Sequence, residues 1–205
     1  TEFTSEGAPT FFAKDIPGEG KIPISGTIEN DDPSMEVDLL VENPRIYYGE
    51  NTHSFVITNT NTAEFDYPTI GEEGRYRPYS GTGGVQLSST LRRLAYTWEF
   101  GDVNILISGE ITSNSRIQYD RQIQKRVSKV APFLMLDKDP YMAVAQGQIF
   151  WVQDAYTVTN RYPYSEPFQE TFNYIRNSVK VVVNAYSGDI HFYVYDEEDP
   201  LILAY

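Results

Sequence analysis

The feature that most constrains the fold is an alternation of side-chain types with a period of two over residues 141–194. Successive side chains of a β-strand point to opposite faces of the sheet, so this period predicts strands with one buried face. The predicted hairpins pair residues 141–146 with 148–157 across Gln146-Gly147, and residues 175–184 with 190–194 across Ser187-Gly188.

The middle of the chain, about residues 88–130, has helical spacing instead. A first helix is predicted from one apolar stripe, with Ser88 or Ser89 as its N-cap and Gly101-Asp102 at its end. A short second helix follows, and a third is predicted over about residues 115–130, ended by Pro132. The first stripe consists of Leu87, Leu91, Leu94, Ala95 and Trp98, and the second helix uses Val103, Leu106, Ile107 and Ile111.

Strands, then helices, then strands, without regular alternation, predict an α+β fold with a mainly antiparallel sheet. An additional hairpin is predicted where residues 45–48 and 54–57 flank the turn Gly49-Glu50-Asn51. Residues 1–42 are broken by prolines and rich in acids, so we expect an irregular acidic arm there and one globular domain over residues 43–205. The chain starts and stops abruptly, and we expect a fragment of a longer protein.

Charge and composition exclude several classes of function. The net charge is −13, which disfavours nucleic acid as a partner because phosphates would be repelled. A basic stretch at residues 116–129 is interpreted as a solvated helix face. The absence of cysteine excludes disulfides, thiol nucleophiles and cysteine-bound zinc. No cofactor is predicted.

Several unusual words occur in one order along the chain. They include NPRIYYGE at 43–50, EFDYP at 64–68, SR at 115–116, APFL at 131–134, DPY at 139–141, DAYT at 154–157, YPYS at 162–165 and NYIRNSVK at 173–180. In these words the chain closely resembles the extracytoplasmic part of uncharacterised protein family 0182, a group of large multi-pass membrane proteins of bacteria and archaea.

The resemblance covers roughly residues 43–200 and implies an exported domain on the extracytoplasmic side of the cell membrane. It implies membrane anchorage through transmembrane segments outside this chain, and it implies no particular activity. We therefore expect a non-enzymatic role in binding or assembly at the cell envelope, with a homo-oligomer or an envelope protein as partner.

Two other functions stay open at the level of sequence. Glu64 and Asp66 alternate on a predicted strand and share one face, which is the arrangement of an envelope-directed hydrolase with paired carboxylates. The predicted hairpin at 175–195 has the strand–turn–strand shape of a PepSY-like regulatory module.

Charged residues within the unusual words are the candidate binding residues. Charges beside apolar positions end either as structural ion pairs or as a polar ligand pocket. Asp137 and Asp139 are weak calcium candidates, since oxygen ligands suffice for that ion. The candidates for a ligand pocket are Arg45, Glu50, Arg116, Asp154, Arg176 and Lys180.

Overall fold

The computed structural model describes residues 41, 44–69, 72–168 and 171–205, and four short pairs of residues near the start of the chain. Of those pairs, and of residues 65–69 and 72–76, it describes the backbone alone. Contacts divide the chain into two compact units. Unit 1 comprises Thr1–Arg45 and Ser54–Tyr119, and unit 2 comprises Ile46–His53 and Asp120–Tyr205.

Strands dominate, and three α-helices lie between residues 90 and 130. The strands are β1 Glu2–Phe3, β2 Pro9–Thr10, β3 Phe12–Ala13, β4 Ile22–Pro23, β5 Val56–Thr58, β6 Phe65–Thr69, β7 Glu72–Tyr76, β8 Val85–Gln86, β9 Arg116–Gln118, β10 Leu134–Leu136, β11 Tyr141–Ala145, β12 Gln148–Thr159, β13 Tyr174–Asn184 and β14 Ile190–Val194. The helices are α1 Thr90–Phe100, α2 Asn104–Ile107 and α3 Ile123–Val130, with a 3-10 helix at Ile202–Ala204. All strand–strand ladders described are antiparallel, which confirms the predicted α+β class.

Unit 1 contains a small antiparallel sheet in the order β5-β9-β8 beside α1 and α2. Helix α1 begins after Ser89, whose side chain accepts a hydrogen bond from the amide of Arg92, and ends at Gly101 in the left-handed conformation. Both ends agree with the predicted caps. The core of this unit is formed by Leu87, Ile105, Ile111 and Ile117, packed by Phe55, Tyr96 and Phe100 among others.

The apolar stripe of α1 does not face this core. Leu91 and Trp98 are 79% and 89% exposed, and Leu94 is exposed as well. The opposite side of the helix packs instead: the rings of Tyr96 and Phe100 are stacked on each other, and both contact the ring of Tyr119 at a tilt. An apolar stripe ordinarily marks the buried side of an amphipathic helix. In α1 the side that carries the aromatic residues packs instead.

Two local predictions in this region are wrong. Residues 116–118, predicted as the start of a helix, form β9, because Ile117 is fully buried between β5 and β8. The helix begins only at Ile123, after Gln122 caps it. The predicted hairpin at 45–57 does not form, because residues 56–58 pair with β9.

Unit 2 is built on a five-stranded antiparallel sheet. Strands β10, β12, β13 and β14 follow in that order, and β11 pairs with the other half of β12. The predicted turns are confirmed, since Gln146 and Gly147 both have positive φ, and Gly188 lies in the return to β14. A register shift beside Ala155 inserts Ser178 as a bulge in β13.

The inner face of this sheet carries the core of unit 2. Trp151, Ala155 and Val181 are buried there, and Ile123 and Val127 of α3 are fully buried as well. The segment 46–53 adds Tyr48, whose carbonyl accepts a hydrogen bond of 2.9 Å from the indole of Trp151.

Gly188 lies directly against the ring of Tyr48. A Cβ atom at this glycine would come within 2.6 Å of three ring carbons, and its φ is +75°. The guanidinium of Arg126 lies on that ring, 4.7 Å from its centroid, and its Nε donates to the carbonyl of Gly188. Only glycine fits this close approach.

The C-terminal segment is held to the sheet by the buried carboxylate of Asp199. The hydroxyl groups of Thr157 and Ser178 both donate to its Oδ2 atom. The Tyr174 hydroxyl and the Leu201 amide donate to Oδ1 at 2.7 and 3.0 Å. Burial acts to raise the pKa of the Asp199 carboxyl, but these four hydrogen bonds outweigh it and lower the pKa to about 2.

The predicted boundary after residue 42 and the predicted irregular acidic arm lie largely outside the described residues, so they stay predictions. None of the helices in the part of the chain that the structure describes combines the length and the apolar character needed to cross a bilayer.

Candidate functional site

The outer face of the five-stranded sheet brings together two of the charged residues singled out by sequence. Buried and half-buried positions alternate along β12, so Asp154 and Tyr156 lie on the face opposite Trp151. Residues directly opposite in an antiparallel pair share a face. Lys180 lies opposite Asp154, and Tyr193 lies opposite Lys180, so all belong to this outer face.

We call this surface the tyrosine face. Tyr141 joins it, because it lies opposite Val152, two residues before Asp154 on β12. Tyr195 follows β14 and places its ring 5.7 Å from the Lys180 ammonium nitrogen. The tyrosine face is defined by Tyr141, Asp154, Tyr156, Lys180, Tyr193 and Tyr195.

Lys180 is the centre of charge on this face. Its ammonium group forms a hydrogen-bonded ion pair with Oδ1 of Asp154, which lies directly across the strands. This hydrogen bond raises the pKa of Lys180, so the side chain stays an ammonium ion at neutral pH. A protonated lysine is a hydrogen-bond donor and a cation, and it is no nucleophile.

Asp137 borders the tyrosine face and orients one of its rings. The hydroxyl of Tyr156 donates to Oδ2 of Asp137 at 2.9 Å, and the amide of Asp139 donates to Oδ1 at 3.1 Å. The Asp139 amide and the Tyr156 hydroxyl lower the pKa of Asp137, and the same contact raises the pKa of Tyr156. Tyr156 is therefore held as a neutral phenol in a fixed orientation.

The remaining aromatic rings are open to solvent. Tyr141, Tyr193 and Tyr195 are 50%, 56% and 74% exposed, respectively. The face therefore offers flat aromatic surfaces around a fixed pair of opposite charges. Such a combination suits a ligand that has an apolar side for stacking and polar groups for hydrogen bonding.

Of the two residues predicted to be catalytic, Glu64 and Asp66, the structure describes the side chain of Glu64. Glu64 lies before β6, and its Oε1 atom accepts a hydrogen bond of 2.6 Å from the amide of Asn59. It lines a surface depression of about 280 Å³ in the loop around residues 59–64, together with Arg77. The side chain of Asp66 lies outside the described residues, so the carboxylate pair stays a prediction.

The other candidate cations hold backbone segments. Arg45 donates to the carbonyls of residues 77 and 78. Arg116 donates to three successive carbonyls at residues 82–84, which fixes that loop. Arg176 pairs with Asp196 and reaches Glu198, so it belongs to the C-terminal attachment. Glu50 is half-buried in the turn after residue 49.

Calcium binding at Asp137 and Asp139 gains no support from the geometry. Within the residues that the structure describes, no three His, Asp or Glu side chains are grouped so as to hold a metal ion. Asp137 instead uses both oxygens for hydrogen bonds to Tyr156 and to the Asp139 amide.

Sequence reasoning missed Tyr193, Tyr195 and the buried Asp199. Tyr193 and Tyr195 could have been predicted from the sequence. They follow a valine-rich alternating strand and a Ser-Gly turn, and this hairpin places them beside Lys180. Asp199 gives no such signal, since it occurs in an acidic run that looks solvated.

Comparison with known proteins identifies the family. The family model described as Uncharacterised protein family (UPF0182) matches residues 1–205. A UPF0182 protein of Pelotomaculum thermopropionicum is 48% identical over the whole chain, which covers 21% of that relative. Relatives from Sulfurovum sp. and Methanospirillum hungatei are 46% and 45% identical over 100% and 98% of the chain, which covers 21% of each.

The chain thus spans about a fifth of the length of these curated relatives. No solved structure shows a significant match. The match over the full sequence, in line with the words identified above, shows that the chain belongs to the Uncharacterised protein family UPF0182.

Proposed function

We propose that this chain is a non-catalytic binding module of a larger, membrane-anchored protein, located on the extracytoplasmic side, and that the tyrosine face binds a glycan of the cell envelope. The observation that carries the proposal is the set of three exposed tyrosine rings around the ion pair of Asp154 and Lys180.

A sugar ring matches this surface in two ways. Its C–H groups form an apolar side that stacks on an aromatic ring, and Tyr193 and Tyr195 offer such rings. Its hydroxyl groups both donate and accept, so they suit the Asp154 carboxylate and the Lys180 ammonium, respectively. The ion pair holds both groups in place before a ligand arrives, which lowers the entropic cost of binding.

The acid–base properties support binding rather than hydrolysis. A glycosidase needs a carboxylic acid whose pKa is raised, so that it is protonated near neutral pH. Among the residues that the structure describes, the carboxyl groups whose pKa is clearly shifted have it lowered. Burial acts to raise the pKa of Asp120, but Lys129 and Lys125 lower it, and hydrogen bonds lower the pKa of Asp137 and Asp199.

Membrane anchorage and the extracytoplasmic location are supported by sequence. The words shared with multi-pass membrane proteins carry this part of the proposal, as does the fivefold greater length of the relatives, of which the chain covers 21%. A protease added to intact cells tests it, since the segment is expected to be cleaved without lysis.

The binding proposal is tested with the 205-residue chain on an array of bacterial envelope glycans, followed by calorimetric titration of the strongest binder. Tyr195→Ala and Lys180→Met are expected to weaken binding by about tenfold or more, which corresponds to about 1.4 kcal/mol. Tyr164→Ala is the matched control, because this tyrosine is fully exposed in the loop between β12 and β13 and is not part of the tyrosine face. Equal losses in all three variants, or no glycan bound, would refute the proposal.

A further inference from the structure

In the part of the chain that the structure describes, β14 is the last strand of its sheet and pairs with β13 alone. The Asn184 amide donates to the Asp189 carbonyl and the Tyr195 amide to the Ser178 carbonyl. Hydrogen bonds to a neighbouring strand recur at every second residue, so Ile190, Phe192 and Val194 direct their backbone groups away from β13. Among the strands that the structure describes, none pairs with this outer edge.

The edge carries none of the usual protection. Natural edge strands are commonly interrupted by proline, lysine or a bulge, which prevents pairing with other chains. The sequence Ile-His-Phe-Tyr-Val has no proline or lysine, and it keeps an unbroken register over five residue pairs with β13. Residues 191–194 are all exposed.

An apolar groove lies beside this edge on the inner face of the sheet. Its volume is about 210 Å³, and Phe192 and Val194 form the side that belongs to β14. The opposite side is formed by Val130 and Phe133, near the end of α3, and by Ile202 of the 3-10 helix. A strand added to β14 would direct every second side chain towards this groove.

The charge around β14 decides between a second copy and a different segment. Asp189 is exposed before the strand, and Glu197 and Glu198 are exposed after it. Antiparallel pairing of two copies about Phe192 would bring the acidic start of each strand towards the acidic end of the other. Such pairing is disfavoured by like charges in a chain of net charge −13.

We propose that β14 binds, by strand addition, an extended peptide segment that lies outside this chain and is not a second copy of β14. The segment has apolar residues at alternate positions, which enter the groove, and lysine or arginine at both flanks, which meet the acidic ends of β14. It becomes the sixth strand of the sheet, with main-chain hydrogen bonds to Ile190, Phe192 and Val194.

The test uses a capped peptide, Lys-Lys-Val-Thr-Val-Thr-Val-Lys-Lys, with variants that carry isoleucine or phenylalanine in place of valine. Binding to the 205-residue chain is measured by titration calorimetry, and the site is located by amide hydrogen exchange. We expect saturable binding that slows exchange at residues 190, 192 and 194 by about tenfold or more. The same peptide with N-methylated valines, which removes the bonding amides, is expected not to bind.

Two variants of the chain separate the edge from general electrostatics. Val194→Lys places a charge in the groove and is expected to weaken binding about tenfold. His191→Lys adds the same charge on the outer face of the same strand and is expected to leave binding within about twofold.

Three results with the peptides would overturn the proposal. They are the absence of binding by every peptide of the set, binding by the N-methylated peptide, and slowed exchange that spares β14. A concentration-dependent dimer in sedimentation that Val194→Lys abolishes would also overturn it, because a second copy would then be the occupant.

Discussion

Replacement of the buried Asp199 by asparagine is expected to destabilise unit 2 by an amount that depends on pH. The carboxylate is fully enclosed and accepts four hydrogen bonds, which lower its pKa from 3.8 to about 2. A shift of just under two pH units corresponds to about 2 kcal/mol of folding free energy. An amide has only one acceptor atom and turns its NH₂ group towards hydroxyl donors, so Asp199→Asn loses most of this stabilisation.

The sign follows from the direction of the shift. Since the folded state lowers the pKa of Asp199, the stabilisation is fully present above about pH 4, where the carboxyl of the unfolded chain is already ionised. It is lost as the pH falls from about 4 to about 2. The wild-type chain and Asp199→Asn should therefore differ by about 2 kcal/mol at pH 7 and converge near pH 2.

The assay is urea unfolding monitored by hydrogen exchange in peptides from β12 and β13, so that unit 1 does not contribute. Asp196→Asn is the matched control, because its partner Arg176 lies at the surface and an exposed ion pair contributes less than about 1 kcal/mol. A difference between wild type and Asp199→Asn that stays constant from pH 7 to pH 2 would refute the reasoning.

Three further substitutions, two of them paired with a matched control, test the packing and the hold on one loop. Gly188→Ala is expected to destabilise unit 2 by about 3 kcal/mol in thermal unfolding because its Cβ would overlap a ring, whereas Gly101→Ala, with positive φ but open space, should cost about 1 kcal/mol; equal costs would contradict the close approach. Leu87→Ala should cost about 3 kcal/mol in urea unfolding and Leu91→Ser less than about 0.5, although both lie on the stripe predicted from sequence; a large cost at the second would show that the stripe is buried. Arg116→Gln should speed proteolysis of the loop at residues 82–84, and unchanged cleavage would argue against its role there.

The period-two region was predictable because side-chain direction in a strand depends on position alone. The strands predicted at residues 148–157 and 175–184 are therefore present, and so is the turn predicted at Gln146-Gly147. The structure of the preceding region, about residues 88–130, was harder to predict. The strand at residues 116–118 is too short to show an alternation of its own, and the pairing of Ile117 with distant residues 57 and 85 decided the outcome.

The candidate site was predictable only in part. Asp154 and Lys180 stood out as charges in the unusual words, but their pairing depends on the register of β12 against β13. That register shifts by one residue at Ser178, and no single residue type marks the shift. The choice of face on α1 failed for a related reason, since aromatic residues on the other side outweighed the leucines.

The chain has two tryptophans, and the fold assigns one to each unit. Trp98 of unit 1 projects into solvent, while Trp151 of unit 2 is buried and donates to a main-chain carbonyl. Their fluorescence should consequently separate by wavelength, with the red emission reporting on the surroundings of α1 and the blue emission on the integrity of the large sheet. One fluorescence measurement can thus report binding of a partner over α1 and, independently, whether the sheet beneath the tyrosine face is still folded.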